Sequence, residues 1–289
     1  MNMEKDMKKR KVENKLNDFS GSEWATHSGS IVSYNGIRPL KQRIHGAAFP
    51  HSLAEDHIKM YTKKGDTILD PFMGVGTSLD AAAKLGRNGV GFEINKQFIK
   101  LAKKDLDQHH LNINSQKIIP DNIMNLLNHI KQESIDFIIT SPPYCNLLNN
   151  IMKKFAAKCE FKNGKKNRGI VNAKPYSSLK EDLGNLNHKD FIEQIDKVFE
   201  YTYKVIKPDS YAVWVVKDFR DIKNKIPYIN FHNDIINSAV KKGWILWDIR
   251  IYDQSKFRPL VVLGYPSRNY YLNIGHSYIL IFKKPGKRE

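Results

Sequence analysis

Residues 66–95, DTILDPFMGVGTSLDAAAKLGRNGVGFEIN, decide the fold. Residues 66–70 form a short apolar run of strand type that ends at Asp70, and a loop holding Gly74 and Gly76 follows. Residues 78–86, SLDAAAKLG, read as a helix stopped by Gly86, the residue type that closes helices in a left-handed conformation. Residues 88–94, NGVGFEI, are the next strand, with Glu93 at its end. Strand, glycine loop, helix and strand in that order build a βαβ unit. Glycines in such a loop let the backbone approach a ligand closely, and a helix start presents free amides. In nucleotide sites of this kind an acid about 20 residues further on grips the ribose hydroxyls. Glu93 stands 19 positions after Gly74. The pyrophosphate spacing G-x-G-x-x-G is broken by Leu79, which disfavours NAD and leaves a bound nucleoside.

The alternation continues on both sides. Upstream, residues 53–62, LAEDHIKMYT, place Leu53, His57, Met60 and Tyr61 on one helical face. Downstream, a helix is expected over 96–110, a strand over 116–119, a helix from Asn122 to Lys131 and a strand over 135–140. After a weakly periodic stretch, a helix over 189–206 stops before Pro208, followed by a strand over 211–216 and a helix over 233–243 closed by Gly243. Strands over 244–253 and 278–284 have no helix between them, so they pair as an antiparallel hairpin. The fold class expected is α/β, a mostly parallel sheet covered on both faces with an antiparallel C-terminal hairpin. Residues 20–50 show no clear period. Trp214, Trp244 and Trp247 lie in apolar strand patterns and read as core.

Composition narrows the class. The chain has 289 residues, of which 41% are hydrophobic, with two cysteines and a formal net charge of +17. No run of about 18 apolar residues suggests a membrane span, and the charged start lacks the apolar stretch of a secretory signal. Cys145 and Cys159 make neither a disulfide framework nor a zinc site, which fits a reducing cytoplasm. The charge is uneven: residues 151–180 hold nine Lys or Arg against one Glu. Such a stretch attracts polyanions. The expected organisation is a basic flexible arm over 1–20 and one domain over 21–289, carrying a basic insertion at 146–186.

The strand over 135–140 runs into Thr140-Ser-Pro-Pro-Tyr-Cys-Asn146, TSPPYCN. Two prolines fix the backbone and remove donors, so this loop holds Ser141 and Tyr144 in set directions. DPFMGVGT together with TSPPY resembles the S-adenosylmethionine-dependent amino-methyltransferases of DNA. The Ser-Pro-Pro-Tyr form is similar to the restriction-modification branch that methylates cytosine at N4. The resemblance covers roughly 48–144 and 186–285, including FPHSLAEDHIKMY, KVIKPDSYAVWVV and GHSYILIFKKP. It implies a class I methyltransferase Rossmann-like sheet, S-adenosyl-L-methionine as cofactor, duplex DNA as substrate and a separately acting restriction endonuclease as partner. The cofactor motif precedes the catalytic one here, the reverse of many Ser-Pro-Pro-Tyr enzymes, which leaves the target-recognition segment less defined.

The resemblance also assigns residues. A cytosine amine is a poor nucleophile because its lone pair is delocalised into the ring. Acceptors at its two N–H groups, the Ser141 hydroxyl and the Pro142 carbonyl, would hold it out of conjugation, while Pro143 stiffens the loop. Tyr144 would stack the base, which must leave the duplex. Neither a metal nor a covalent nucleophile is needed, so alignment carries the reaction. Cys145 reads as a neighbour rather than a nucleophile, and His109 with His110 as a solvated helix end. Asp70, Pro71, Phe72, Gly74, Gly76 and Thr77 would face the methionine end of the cofactor. Glu93 would hold the ribose and Ile94 the adenine, with Phe49 and Pro50 as an upstream contact. Asp121 would meet the adenine amine or cap the following helix.

For DNA, Lys153, Lys154, Lys165, Lys166 and Arg168 in the insertion are the first candidates, with Lys256, Arg258 and Arg268 in 253–275 the second. Three other readings stay open: adenine N6 methylation, methylation of a guanine amine in structured RNA, and a DNA-binding module without activity.

Overall fold

The computed structural model describes residues 14–34, 39–45, 48–108, 115–144, 182–221, 225–257, 260, 262, 263, 266 and 268–287. Its helices are α1 (Gly21–His27), α2 (Leu40–His45), α3 (His51–Tyr61), α4 (Thr77–Lys84), α5 (Lys96–Gln108), α6 (Leu126–His129), α7 (His188–Val205) and α8 (Phe231–Lys241). Its strands are β1 (Ile31–Val32), β2 (Thr67–Asp70), β3 (Asn88–Phe92), β4 (Gln116–Ile119), β5 (Ile135–Thr140), β6 (Ile206–Val216), β7 (Phe219–Asp221), β8 (Ile226–Ile229), β9 (Ile245–Asp253) and β10 (His276–Lys283).

Eight strands form one sheet in the order β4-β3-β2-β5-β6-β10-β9-β1. The run from β4 to β6 is parallel, and β10 lies antiparallel between β6 and β9. The expected mixed sheet with its C-terminal hairpin is therefore the observed one. Short strand β1 adds an eighth member by pairing in parallel with β9. Residues 20–50 thus hold more structure than their missing period indicates. Ser20 caps α1 in a reciprocal capping box with Glu23, a four-residue signal too local for a periodicity search. Within the expected arm, the described residues 14–20 are tied to the fold: Asn17 donates to the Met60 carbonyl at 2.6 Å, and Asp18 pairs with Arg87 at 3.2 Å.

Alternation along the central strands builds two cores. On β5 and β6, Ile138, Ala212, Trp214 and Val216 meet α7 and α8, while Phe137, Ile139, Val213 and Val215 meet α3 and α4. That period of two, with both faces apolar, is what a sheet covered on both sides requires. The expected helix after β4 is broken into a 3-10 turn at Ile123–Asn125 and the four-residue α6. Trp214 and Trp244 are buried, but Trp247 is 53% exposed, which corrects its reading as core. An apolar strand pattern does not distinguish a central strand from one near the sheet edge. On β9 the Trp247 ring packs under the Lys283 ammonium at 4.7 Å and against Tyr211.

Phe199 of α7 holds the larger core together. It is fully buried, stacks on Trp214 at 4.2 Å and meets Trp244 and Phe282 edge-on. Phe199→Ala is expected to cost about 3–5 kcal/mol, read as a lower denaturant midpoint with an unchanged slope.

Candidate active site

Because β2, β3, β4 and β5 run parallel, the residues at or one to two positions beyond their ends open on one edge of the sheet. These are Asp70, Glu93, Asp121 and Ser141. Between them lies a cleft of about 820 Å³, counting space continuous with solvent. Of the residues singled out in the sequence, Phe49, Asp70, Pro71, Phe72, Thr77, Glu93, Ile94, Asp121, Ser141, Pro142 and Pro143 line it. Pro50, Gly74, Gly76 and Tyr144 stand outside the lining. Carboxyl ends of parallel strands are where open α/β sheets bind ligands.

Asp70 is buried and both of its oxygens are engaged. Oδ1 accepts from the Phe72 amide at 3.0 Å and the Thr140 hydroxyl at 2.7 Å, and Oδ2 accepts from the Ser78 hydroxyl at 2.5 Å. Burial pushes the carboxyl up to about 6, against these bonds, which hold it down. Asp70 therefore borders the cleft while joining the end of β2, the first turn of α4 and the last residue of β5.

The glycine loop is built for close approach. Gly74 has φ 53° and Gly76 φ 77°, the left-handed region that favours glycine. A Cβ at Gly74 would stand 2.6 Å from His45 Nε2, and one at Gly76 2.9 Å from the Ala102 Cβ. Glu93 answers from β3: its Oε1 accepts from the Asn95 amide at 2.6 Å, and its carboxylate also takes the Ile94 and Gly74 amides. Burial raises its carboxyl to about 7. Phe92, Ile94 and Phe98 supply apolar walls nearby. An acid and apolar slabs in one concave site suit a nucleoside.

Asp121 lines the same cleft, and the capping role falls instead to Asn122, whose side chain accepts from the Met124 amide. Asp121 takes the His129 ring at 2.7 Å and the Asn125 side chain at 2.9 Å, and the His129 bond holds its carboxyl below the usual range. Tyr144 is half-buried, its ring 6.1 Å from Phe219 and 5.6 Å from Phe231.

Several cleft residues escaped the sequence reading. Helix α2 carries three of the residues that tie it to the site. The Lys41 ammonium pairs with Asp80 and Asp105, Gln42 donates to the Phe49 carbonyl and the Thr77 hydroxyl at 3.1 Å each, and His45 lines the cleft. Burial lowers His45 to about 4, so its ring is neutral at pH 7. Asp182 and Leu183 close another side. They belong to the last residues of the expected insertion, where Asp182 caps a 3-10 turn. The only sequence signals were an Asp two positions before a Gly and an isolated Leu.

Lys153, Lys154, Lys165, Lys166, Arg168 and Arg258 lie outside the described residues, as do Cys145, Cys159, His109 and His110. Lys256 and Arg268 are exposed. Among the described residues, no helix is long and apolar enough to cross a membrane.

The chain matches the DNA methylase family of N6 and N4 enzymes over residues 1–104 and 135–289. Among curated proteins, the type II methyltransferase M.BglI of Bacillus subtilis is 37% identical over 101 residues, which is 35% of this chain and 28% of that one. M.MthZI of Methanothermobacter thermautotrophicus is 38% identical over 122 residues, 42% of this chain and 31% of the relative. M.MjaI of Methanocaldococcus jannaschii is 32% identical over 105 residues, 36% and 33%. These matches thus span a third or less of each relative's length. Among solved structures, TrmN from Thermus thermophilus has a TM-score of 0.50 at 12% identity, covering 86% of this chain and 54% of that one, a likeness of fold alone. Family membership implies S-adenosyl-L-methionine as cofactor, and a cleft lined by Glu93, Asp121, Phe92, Ile94 and Phe98 has the acids, the apolar walls and the space for its adenosine. The chain belongs to the N6/N4 DNA methylase family.

Proposed function

We propose that this chain transfers a methyl group from S-adenosyl-L-methionine to an exocyclic amine in duplex DNA, with cytosine N4 as the acceptor. The observation that carries the reading is that Ser141 and Pro142 line the same cleft as Glu93 and Phe49. When bound, the cofactor supplies an electrophilic methyl on its sulfonium. Glu93 accepts hydrogen bonds from the ribose hydroxyls, Ile94 packs against the adenine, and Asp121 takes the adenine amine. The glycine loop and Thr77 face the methionine end.

On the substrate side, the Ser141 hydroxyl and the Pro142 carbonyl accept the two N–H groups of the amine and aim its lone pair. Pro142 and Pro143 keep those acceptors fixed. The half-exposed Tyr144 ring is the stacking face for a base drawn out of the duplex. Transfer is direct, and its acceleration comes mainly from alignment. Residues 151–180, which follow the Ser141–Tyr144 loop in sequence and include Lys153, Lys154, Lys165, Lys166 and Arg168, serve as a phosphate contact. By likeness to the type II methyltransferases, the mark protects cytoplasmic DNA from a cognate endonuclease that acts separately.

Expression in a host without DNA modification, followed by digestion of its DNA to nucleosides, tests the reaction. N4-methylcytosine is expected, confined to one short sequence. N6-methyladenine would keep the fold and cofactor reading and overturn the role given to Ser141. Unmodified DNA with labelled methyl on RNA would overturn the substrate class.

Glu93 generates a pH prediction. Its carboxyl, raised to about 7 by burial, ionises as pH rises through 7, and the ionised form accepts ribose hydroxyls better. Cofactor affinity measured by calorimetry should therefore strengthen about tenfold from pH 6 to pH 8, and Glu93→Gln should be weaker and flat. A wild-type affinity that does not change with pH would remove Glu93 from the ribose.

A further inference from the structure

The parallel strands end at one edge of the sheet, and a second feature occupies that edge beside the cleft. Strands β7 and β8 form a separate antiparallel hairpin. Phe219, the first residue of β7, packs on Tyr144. The chain between β9 and β10 emerges at the same edge, because β10 runs antiparallel to both β6 and β9. Within this chain Tyr271 bridges back to Leu263.

One arginine fastens the two pieces together. The Arg220 guanidinium donates to the Pro227 carbonyl at 2.6 Å and the Leu272 carbonyl at 3.0 Å. It also lies against both the Tyr228 ring at 5.2 Å and the Tyr271 ring at 5.4 Å. A further lysine, Lys217, donates to the Ile274 carbonyl at 2.8 Å. The platform so formed is apolar at its tips, with Tyr270 and Leu272 each 69% exposed. It is basic as well: Lys225, Lys256 and Arg268 are exposed, and residues 254–276 contain no Asp or Glu. Exposed apolar side chains in a cluster of this kind mark an interaction site.

We propose that this platform is the face that receives the duplex flanking the target base, with Lys225, Lys256 and Arg268 on phosphates and Tyr270 and Leu272 pressed against the unstacked step. The assignment rests on the DNA-amine reading above. Charge complementarity selects the occupant: Asp218 and Asp221 of the hairpin are buried and Asp253 is engaged by the Ser255 amide, so the exposed charges are Lys225, Lys256 and Arg268, and such a face repels a second copy of itself and attracts a polyanion. Apolar wedges beside a base drawn out of the stack stabilise the opened duplex. Arg220 acts as a positioning residue that keeps hairpin and loop in one plane.

The test measures binding of a fluorescent random-sequence 24-base-pair duplex across a salt series, using the full chain. The variant Lys225→Glu/Lys256→Glu/Arg268→Glu is expected to bind at least about tenfold more weakly at low salt. Its slope of log affinity against log salt should be shallower by about three, one per lost phosphate contact. The control Lys64→Glu/Lys131→Glu, in loops at the opposite edge, should bind as the wild type does. Tyr270→Ala/Leu272→Ala should lower methyl transfer while leaving calorimetric cofactor affinity and the sedimentation coefficient unchanged. Wild-type affinity and slope in the triple variant would overturn the assignment while leaving the DNA reading intact. A wild-type dimer that Tyr270→Ala/Leu272→Ala dissociates would assign the face to a second copy. A wild type that binds structured RNA and not the duplex would overturn this proposal and the substrate reading together.

Discussion

The Asp70 carboxylate is the constraint on which the site depends. Three donors converge on it from three elements: the Phe72 amide from the loop after β2, the Ser78 hydroxyl from α4 and the Thr140 hydroxyl from the end of β5. Thr140 is the residue immediately before Ser141. One buried group therefore ties the floor of the cleft to the loop that carries Ser141 and Pro142, the acceptors proposed above. Burying a carboxylate is costly unless its lone pairs are satisfied, and here the satisfying groups come from the glycine loop, the helix that follows it and the strand end that leads into Ser141. The raised proton affinity of Asp70 is the residue of that cost.

Around this clip the architecture works in layers. Parallel strands bring Asp70, Glu93, Asp121 and Ser141 to one edge, and helices on both faces keep that edge in register. His45, Ala48 and Phe49 then border the cleft, with α2 held in place through Gln42 and the Lys41 pairing. On the far side, Tyr144 joins the acceptor loop to Phe219 and hence to the β7–β8 hairpin. The cleft and the β7–β8 hairpin thus both border the Ser141–Tyr144 loop.

Much of this was legible in the chain, and the reasons differ by element. The βαβ unit over 66–95 announces itself because strand, glycine loop and acid obey short, rigid spacings, and the C-terminal hairpin follows from two apolar runs with no helix between. Ser141 and Pro142 stand out because paired prolines after an apolar strand serve few purposes. Helix α2 was not legible: it spans six residues, and its partners Thr77, Asp80 and Asp105 are distant in sequence. The exposure of Trp247 was hidden for a similar reason, since strand composition does not record which neighbours cover a face. Asp121 showed the right residue type, but only coordinates separate it from Asn122 as the cap.

The central claim, that Asp70 sets the alignment of acceptor loop and cofactor floor, is tested most directly by Thr140→Val. This change keeps the shape of β5 and deletes one donor to the carboxylate. The quantity to measure is single-turnover transfer of labelled methyl to DNA, alongside calorimetric cofactor affinity. The account predicts transfer slowed about tenfold, the kinetic equivalent of one lost hydrogen bond of roughly 1–1.5 kcal/mol, with cofactor affinity unchanged. Transfer at the wild-type rate would contradict it.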